Sequence, residues 1–220
     1  MMLAARCAAL LPRGVIWAEA DPKSPPTGMT RAEARCTVKA VPQRVAEFAA
    51  GRRAAHAALT GLGVAHPSVP MAADRSPIWP EGIAGSISHS EELCLAAVGW
   101  KRDVAAIGID IEPDTELPAE LIPEIAFGAE LEWLRAQPSP GQAARRLFGI
   151  KESVYKCQYA LTGRMLEFSD VAVKLDDKAT TFSARVTGPV SGEITGRTLI
   201  AQNALIAAAW CPKDQVIANK

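Results

Sequence analysis

One short stretch of the chain carries two acidic residues in a pattern typical of metal or phosphate chemistry. In the apolar segment 107–112, Asp110 and Glu112 alternate with isoleucines, so a β-strand would present both carboxylates on one face. Two adjacent carboxylates repel each other unless the face is solvated or a cation lies between them. Because the ligands would be hard oxygens, the ion would be Mg²⁺, with Mn²⁺ as the second choice. A solvent-facing edge strand is the alternative interpretation.

A third carboxylate, Glu152, lies in a helical pattern downstream of that strand. Residues 142–161 repeat apolar side chains at spacings of three and four, which predicts an amphipathic helix. Phe148, Glu152 and Lys156 are four residues apart on a neighbouring face, and Lys151 flanks them. Such a pattern is typical of a solvated ion-pair ladder. Beside the strand carboxylates, however, Glu152 becomes a candidate third metal ligand, and we expect the two lysines to keep it ionised at neutral pH.

Basic residues supply the complementary chemistry. The segment 85–90 predicts a strand that ends in a polar turn, where His89 would either bond locally or contact a phosphate or diphosphate. Arg44 and Arg52 lie two turns apart on a predicted helix, with Arg53 as a weaker candidate. Arginines on a helix are usually solvated stems over apolar surface, and they form an anion site only where a loop brings a phosphate to them.

Composition excludes several classes of protein. The chain has 220 residues with 24 basic and 24 acidic side chains, so a sequence-independent nucleic-acid binder is not expected. Its five cysteines show no metal-ligand spacing, which predicts free thiols in a reducing cytoplasm. No apolar run reaches the roughly 18 residues of a membrane span. The apolar residues 1–11 are too short and interrupted for the signal peptide that they superficially suggest.

Periodicity and turn residues predict an α+β fold. Each half of the chain offers a long helix followed by antiparallel strands, an order that suggests a duplication. The predicted helices are residues 30–40, 42–62, 130–135 and 142–161. The predicted strands are residues 14–20, 83–88, 93–100, 105–112, 171–175, 181–186 and 199–210, with two strands as the alternative for the last range. Residues 63–80 and 114–126 are predicted to be proline-rich loops.

Three motifs in a fixed order resemble the 4′-phosphopantetheinyl transferases. They are Ser-Ile-Ser-His-Ser at 86–90, Gly-Ile-Asp-Ile-Glu at 108–112 and Lys-Glu-Ser-Val-Tyr-Lys at 151–156. Together they are highly specific, whereas any one alone is weak. The chain length resembles the long type that activates surfactin and enterobactin synthetases. Residues 44–52 and 75–82 look like its enterobactin synthase component D subgroup, and the resemblance covers about residues 11–175. His56 is a departure, because subgroup members often carry an arginine there.

The resemblance implies a fold and a reaction. The fold would be two similar α+β halves, residues 1–105 and 106–220, related by a pseudo-twofold with the active site between them. Coenzyme A would give its 4′-phosphopantetheine to a serine of an apo carrier protein, leaving 3′,5′-ADP. The implied metal ligands are Asp110, Glu112 and Glu152. Glu152, Lys156 and His89 would be catalytic, with Glu152 also serving as base. The implied coenzyme A contacts are Arg44, Arg52, Arg75, His89, Lys151 and Lys156.

The expected partners are coenzyme A and an acidic apo acyl or peptidyl carrier protein, with the enzyme a cytoplasmic monomer that binds no membrane. Because the chain is neutral overall, attraction to the carrier must be local, and arginines near the second long helix are candidates for it. They are Arg135, Arg145, Arg146 and Arg164. Two alternatives remain: a metal-dependent phosphohydrolase, which would hydrolyse simple phosphate esters, and a non-catalytic coenzyme A-binding module.

Overall fold

A computed structural model describes residues 2–65, 67–176, 178–187 and 193–214. Its α-helices are α1 (Leu3–Arg6), α2 (Arg31–Arg35), α3 (Pro42–Gly61), α4 (Ile122–Ile125), α5 (Ala129–Arg135) and α6 (Pro140–Thr162). Its strands are β1 (Ile16–Ala20), β2 (Ile83–His89), β3 (Cys94–Trp100), β4 (Val104–Pro113), β5 (Val171–Leu175), β6 (Thr181–Val186), β7 (Glu193–Ala201) and β8 (Ala204–Pro212). The predicted α+β class is confirmed.

The strands form two antiparallel sheets. The first has the order β1-β3-β2, and α3 packs on it. The second has the order β4-β8-β7-β6-β5, and α6 packs on β4 and β8. The two sheets thus follow one another along the chain, each with one long helix. The pseudo-twofold relation between them stays a prediction.

Two serine side chains join the sheets where β2 runs beside β4. The backbone N–H of Ile109 donates to Ser86 Oγ at 3.0 Å, and that of Ile111 donates to Ser88 Oγ at 3.3 Å. Since β4 pairs with β8 on its other side, these bonds satisfy backbone donors that an edge strand would leave open. Both serines are buried. The serines of the 86–90 motif therefore hold the two sheets together.

The contact of α6 with β4 depends on a glycine. A Cβ built at Gly108 would clash with the carbonyl oxygen of Ser153 and lie 2.5 Å from the backbone nitrogen of Cys157. Only glycine therefore lets the helix backbone approach the strand this closely. The predicted apolar face of α6 is confirmed, because Leu147, Ile150, Val154 and Cys157 are fully buried. The helix ends at Gly163, whose φ of +63° is the left-handed conformation common at helix ends.

The structure adds detail in two segments. Residues 2–11 contain α1, and Leu3, Leu10 and Leu11 belong to the same buried apolar cluster as Ile109 of β4. Of the two alternatives for residues 199–210, the pair of strands is confirmed: β7 and β8 form a hairpin that turns at residues 202–203. Asn203, in the left-handed conformation with φ +58°, suits that turn. Among the residues described, no helix combines the length and apolarity that a membrane crossing needs.

We predict opposite effects for two substitutions across the α6–β4 contact. Gly108→Ala forces the helix away from the strand and should cost several kcal/mol of unfolding free energy, about the size seen for overpacked cores. Gly149→Ala, on the helix side of the same contact, meets its nearest neighbours at 3.6 Å, an ordinary distance. It should stabilise the protein by about 0.5–1 kcal/mol, because alanine favours helix. Urea unfolding of both variants measures this, and equal effects would contradict the proposed close approach.

Candidate active site

A cavity of about 870 Å³ opens between the two sheets, bounded by α3, β2, the loop before β2, β4 and α6. Of the residues described, five lysines and arginines line it against three carboxylates, so it carries a positive excess in a chain that is neutral overall. The basic lining residues are Arg44, Arg52, Arg75, His89, Lys101 and Lys156. All but Lys101 are predicted site residues, gathered from both halves of the chain. Such a cavity suits a large anionic ligand.

The two helix arginines differ in how firmly they are held. Arg52 is 6% exposed, stacks 3.9 Å over the ring of Phe48 and donates from Nε to the Val69 carbonyl at 2.5 Å. Burial lowers the pKa of Arg52 to about 10, so the guanidinium is still charged at neutral pH. Arg44 is half exposed and ion-paired with Glu47 at 3.3 Å. Arg52 is therefore held in one orientation at the cavity wall, whereas Arg44 is held more loosely.

His89 lies at the rim of the cavity, at the end of β2 as predicted. Loss of water around the ring lowers the pKa of His89, and the positive charges of Arg44 and Lys156 lower it further against the opposing pull of Glu47. Arg44 Nη1 lies 3.3 Å from His89 Nε2. Since a guanidinium can only donate, Nε2 must be the acceptor and the ring proton must be on Nδ1. Nδ1–H is therefore the donor that a neutral His89 can offer to a ligand.

Lys156 and Asp110 form an ion pair at the floor of the cavity. Lys156 Nζ donates to Asp110 Oδ1 at 2.7 Å, to the Ile109 carbonyl at 3.1 Å and to Ser88 Oγ at 3.2 Å. Ser88 in turn donates to Asp110 Oδ1 at 2.9 Å. Asp110 is 5% exposed, which rules out the solvent-facing alternative for this strand residue. Its second oxygen, Oδ2, is buried and has no hydrogen-bond partner in the part of the chain that the structure describes.

Glu112 shares the face of Asp110, as the strand alternation predicts, and both lie against Gly149 of α6. Burial raises the pKa of Glu112, and the charge of Asp110 raises it further. Arg145 opposes this with a 3.0 Å ion pair to Glu112 Oε2. A contact of Arg145 with a carrier protein stays a prediction, and this ion pair would compete with it. The Nε of Arg146 is buried as well, whereas Arg135 and Arg164 are exposed.

Glu152 is half-buried on α6 near Asp110 and Lys156, but outside the cavity lining. Burial raises the pKa of Glu152; Lys156 lowers it and Asp110 raises it. Of the two flanking lysines expected to keep Glu152 ionised, Lys156 acts in the expected direction, whereas burial acts against it. Lys151 contributes nothing, because it points elsewhere.

Lys151 does not join the other predicted site residues. It is 1% exposed, and its Nζ donates to Glu130 Oε2 at 2.8 Å and to the Phe168 carbonyl at 2.9 Å. It lies four residues after Leu147 and three before Val154, on the apolar face of α6, which is the signal in the sequence that could have shown its burial. Because Lys151 is buried on the apolar face of α6, it has a structural role and cannot reach a phosphate in the cavity.

The carboxylates fit Mg²⁺ in chemistry but do not form a complete site. An oxygen of Asp110 is buried without a partner, and Glu112 and Glu152 have raised pKa values that a cation would reverse. Hard carboxylate oxygens are the ligands that Mg²⁺ prefers. Among the residues described, however, no three acidic, histidine or cysteine side chains lie close enough together to hold a metal. The ligand roles of Asp110, Glu112 and Glu152 stay predictions.

Aromatic residues that the sequence analysis did not assign complete the cavity. Trp79 packs on β2 so closely that a Cβ at Gly85 would lie 2.7 Å from its ring. Tyr155 and Tyr159 of α6 lie side by side, with ring centroids 5.6 Å apart. Tyr159 donates to Asp74 Oδ2 at 2.7 Å, which ties α6 to the loop of Arg75 across the cavity. Their spacing of three from Glu152 and Lys156 could have identified the two tyrosines.

We predict that Glu152→Gln stabilises the folded protein near pH 7.5. The pKa of Glu152 is raised above its ordinary 4.5, so ionised Glu152 costs stability above the raised pKa, and this cost disappears as the pH falls below 4.5. The urea midpoint of the variant should exceed that of wild type at pH 7.5 and converge with it near pH 4. Glu132→Gln, at an exposed glutamate of α5, is the control. A gain that is independent of pH would refute the electrostatic explanation.

Family models match both halves of the chain. The model of the 4′-phosphopantetheinyl transferase N-terminal domain matches residues 32–99, and that of the 4′-phosphopantetheinyl transferase superfamily matches residues 106–211. The chain is 40% identical over 200 residues to the 4′-phosphopantetheinyl transferase Svp of Streptomyces mobaraensis, covering 84% of this chain and 78% of that one. It is 34% identical to Npt of Nocardia iowensis over 172 residues, covering 76% and 75%.

A third relative is similar over a shorter stretch. Enterobactin synthase component D of Salmonella typhi is 42% identical over 118 residues, which is 52% of this chain and 48% of that protein. The two family matches and the long alignments together leave little of the chain outside the similarity. The chain belongs to the 4′-phosphopantetheinyl transferase family.

Proposed function

We propose that this protein transfers the 4′-phosphopantetheine arm of coenzyme A to a serine of an apo carrier protein, leaving 3′,5′-ADP. The observation that carries the proposal is the cavity between the sheets, which gathers five of the predicted cofactor-contact side chains beside the paired Asp110 and Lys156. A coenzyme A molecule carries anionic groups at its adenosine end and along its diphosphate. The positive excess of the cavity is complementary to both.

In this proposal the basic residues of the cavity bind two different parts of coenzyme A. Arg52, with Arg44 and Arg75 beside it, would bind the 3′-phosphate, because a guanidinium suits phosphate oxygens in pairs. His89 would donate from Nδ1–H to a phosphate oxygen near the rim. Lys156 already uses three acceptors, so it would contact the diphosphate by exchanging one of these bonds. Lys151 has no such task.

The acidic residues would serve the reacting end of the cofactor. Asp110, Glu112 and Glu152 would hold Mg²⁺, which when bound would neutralise the charge on the diphosphate. Glu152 is also the proposed base for the incoming serine, directly or through a water. Burial raises the pKa of Glu152 from an ordinary value below neutral, which makes the carboxylate a stronger base than a solvated one.

Finer assignments are part of the same proposal. We assign the chain to the long, surfactin-synthetase-activating type and its enterobactin synthase component D subgroup. We propose that it works as a cytoplasmic monomer, binding neither membrane nor nucleic acid, with halves at residues 1–105 and 106–220. The order of the two sheets supports the division. For the acidic carrier protein, Arg135 and Arg164 remain the exposed candidates near α6.

Intact-mass analysis tests the function directly. Candidate apo carrier proteins are incubated with coenzyme A, Mg²⁺ and this protein, and a gain of one phosphopantetheine arm is expected. Carrier with its serine changed to alanine is the control and should gain nothing. Hydrolysis of simple phosphate esters without a carrier would instead favour a phosphohydrolase. Coenzyme A binding without any transfer would favour the non-catalytic module.

Arg52→Ala should raise the KM for coenzyme A by about tenfold or more, the usual cost of a lost charged hydrogen bond, while kcat changes less. The variant should no longer prefer coenzyme A to 3′-dephospho-coenzyme A. Arg53→Ala is a matched control on the same helix, because Arg53 donates to the carbonyls of Asp21 and Pro25 outside the cavity. An Arg52→Ala variant with the wild-type preference would remove the 3′-phosphate assignment.

Glu152→Gln and Asp110→Asn should differ in how they respond to metal. Glu152→Gln removes a base and should lower kcat by about two to four orders of magnitude at any Mg²⁺ concentration. Asp110→Asn weakens metal binding, so raised Mg²⁺ should restore part of its kcat, and calorimetry should show weaker Mg²⁺ binding. If Glu152→Gln recovers with Mg²⁺ as fully as Asp110→Asn, then Glu152 is only a ligand and the base is another group.

A further inference from the structure

Another buried carboxylate, Glu33, lies on the short helix α2, outside the cavity lining. It is fully buried and accepts three hydrogen bonds, from the backbone of Thr30 at 2.7 Å, from the backbone of Val69 at 2.6 Å and from His56 Nε2 at 2.7 Å. Burial alone would raise the pKa of Glu33, but the bonds from His56, Val69 and Thr30 lower it to about 2. Glu33 is therefore a fixed negative charge.

Val69 connects this carboxylate to the cavity. Its backbone N–H donates to Glu33, and its carbonyl accepts the Nε–H of Arg52 at 2.5 Å. Val69 is itself fully buried, in the loop between α3 and β2. The backbone N–H of Val69 is thus hydrogen-bonded to Glu33, and its carbonyl is hydrogen-bonded to Arg52. Any shift of Glu33 moves the acceptor that holds the arginine.

The guanidinium of Arg52 has little freedom left. Its face lies over the ring of Phe48, and its Nε points at the Val69 carbonyl, which together define the plane and the direction of the group. Among the residues described, the hydrogen bond of Arg52 is made by its Nε, so its terminal nitrogens are available to a ligand in the cavity that this residue lines. Burial lowers the pKa of Arg52, and the charge of Glu33 opposes that lowering. Glu33 thus influences Arg52 through geometry and through charge.

We propose that Glu33 and His56 are positioning residues. They hold the Val69 carbonyl, which in turn orients Arg52 toward a phosphate of the ligand. The inference rests on the proposed function, in which that phosphate is the 3′-phosphate of coenzyme A. His56 is the better residue to substitute, because its side chain is 18% exposed, whereas that of Glu33 is 0% exposed. Replacing Glu33 would leave its buried hydrogen-bond donors without an acceptor. Removing His56 takes away one of three bonds to Glu33 and loosens the Val69 anchor.

The test compares adenosine 3′,5′-bisphosphate with adenosine 5′-monophosphate, which lacks the 3′-phosphate, by calorimetry on the full-length protein. Wild type should prefer the bisphosphate. His56→Leu should reduce that preference by about threefold to tenfold, the usual effect of one lost hydrogen bond, while affinity for the monophosphate stays within about twofold. His56→Gln keeps a donor near the position of Nε2 and should restore most of the preference. Arg53→Ala should keep the wild-type preference.

A double variant separates positioning from general loosening of the fold. If His56 acts through Arg52, His56→Leu should cost no further preference in an Arg52→Ala background. The proposal is overturned if the losses of preference in the double variant are additive, or if His56→Leu and His56→Gln lose the same preference. It is also overturned if His56→Leu loses as much affinity for the monophosphate as for the bisphosphate. Urea unfolding of every variant shows that folded protein is compared. If wild type does not prefer the bisphosphate, the proposed function fails first; if wild type and Arg52→Ala behave as expected but His56→Leu is silent, only this inference fails.

Discussion

The ion pair between Lys156 and Asp110 lies where both sheets and the long helix α6 meet, and the rest of the site depends on it. The ammonium comes from α6, the carboxylate from β4, and the Ser88 hydroxyl that bonds to both comes from β2. A buried pair of this kind contributes little net stability, but removing one partner costs about 3–5 kcal/mol. The pair therefore serves to fix three elements in one register.

Close packing around this point follows from small residues. Gly108 lets α6 approach the strand backbone, and Gly149 on the helix lies against the side chains of Asp110 and Glu112. A helix held further from the strand would place Lys156 beyond hydrogen-bonding distance of Asp110. The side chains of Ser86 and Ser88 meanwhile accept hydrogen bonds from backbone N–H groups of β4, which would have no partner if β4 were a free edge strand. The Ser-Ile-Ser and Gly-Ile-Asp segments are thus as important for assembling the cavity as for its chemistry.

Local pattern was enough to predict the elements with strong periodicity. Helix α6 was expected at residues 142–161 and spans Pro140–Thr162, because its apolar face and its terminal glycine are both local signals. Segment 2–11 has no such signal, since its leucines are recognisable as core residues only once β4 and β8 lie beneath them. Arg145 and Glu33 show the same limit for the site. Their partners, Glu112 and Val69, are more than 30 residues away in sequence, and only the fold brings them together.

Buried charged side chains of this protein differ in whether their polar atoms all have hydrogen-bond partners. Two of them lie away from the cavity and have several partners: Lys151 has Glu130 and a carbonyl, and Glu33 has three donors. At the floor of the cavity, Asp110 Oδ2 lacks a partner among the residues described, and the pKa of the nearby Glu152 is raised by burial and by a like charge. Unsatisfied buried carboxylates cost folding free energy, and native proteins keep few of them. A cation bound at Asp110 and Glu152, as we propose, would recover this cost, so carboxylates that weaken the fold without a metal would help to bind it.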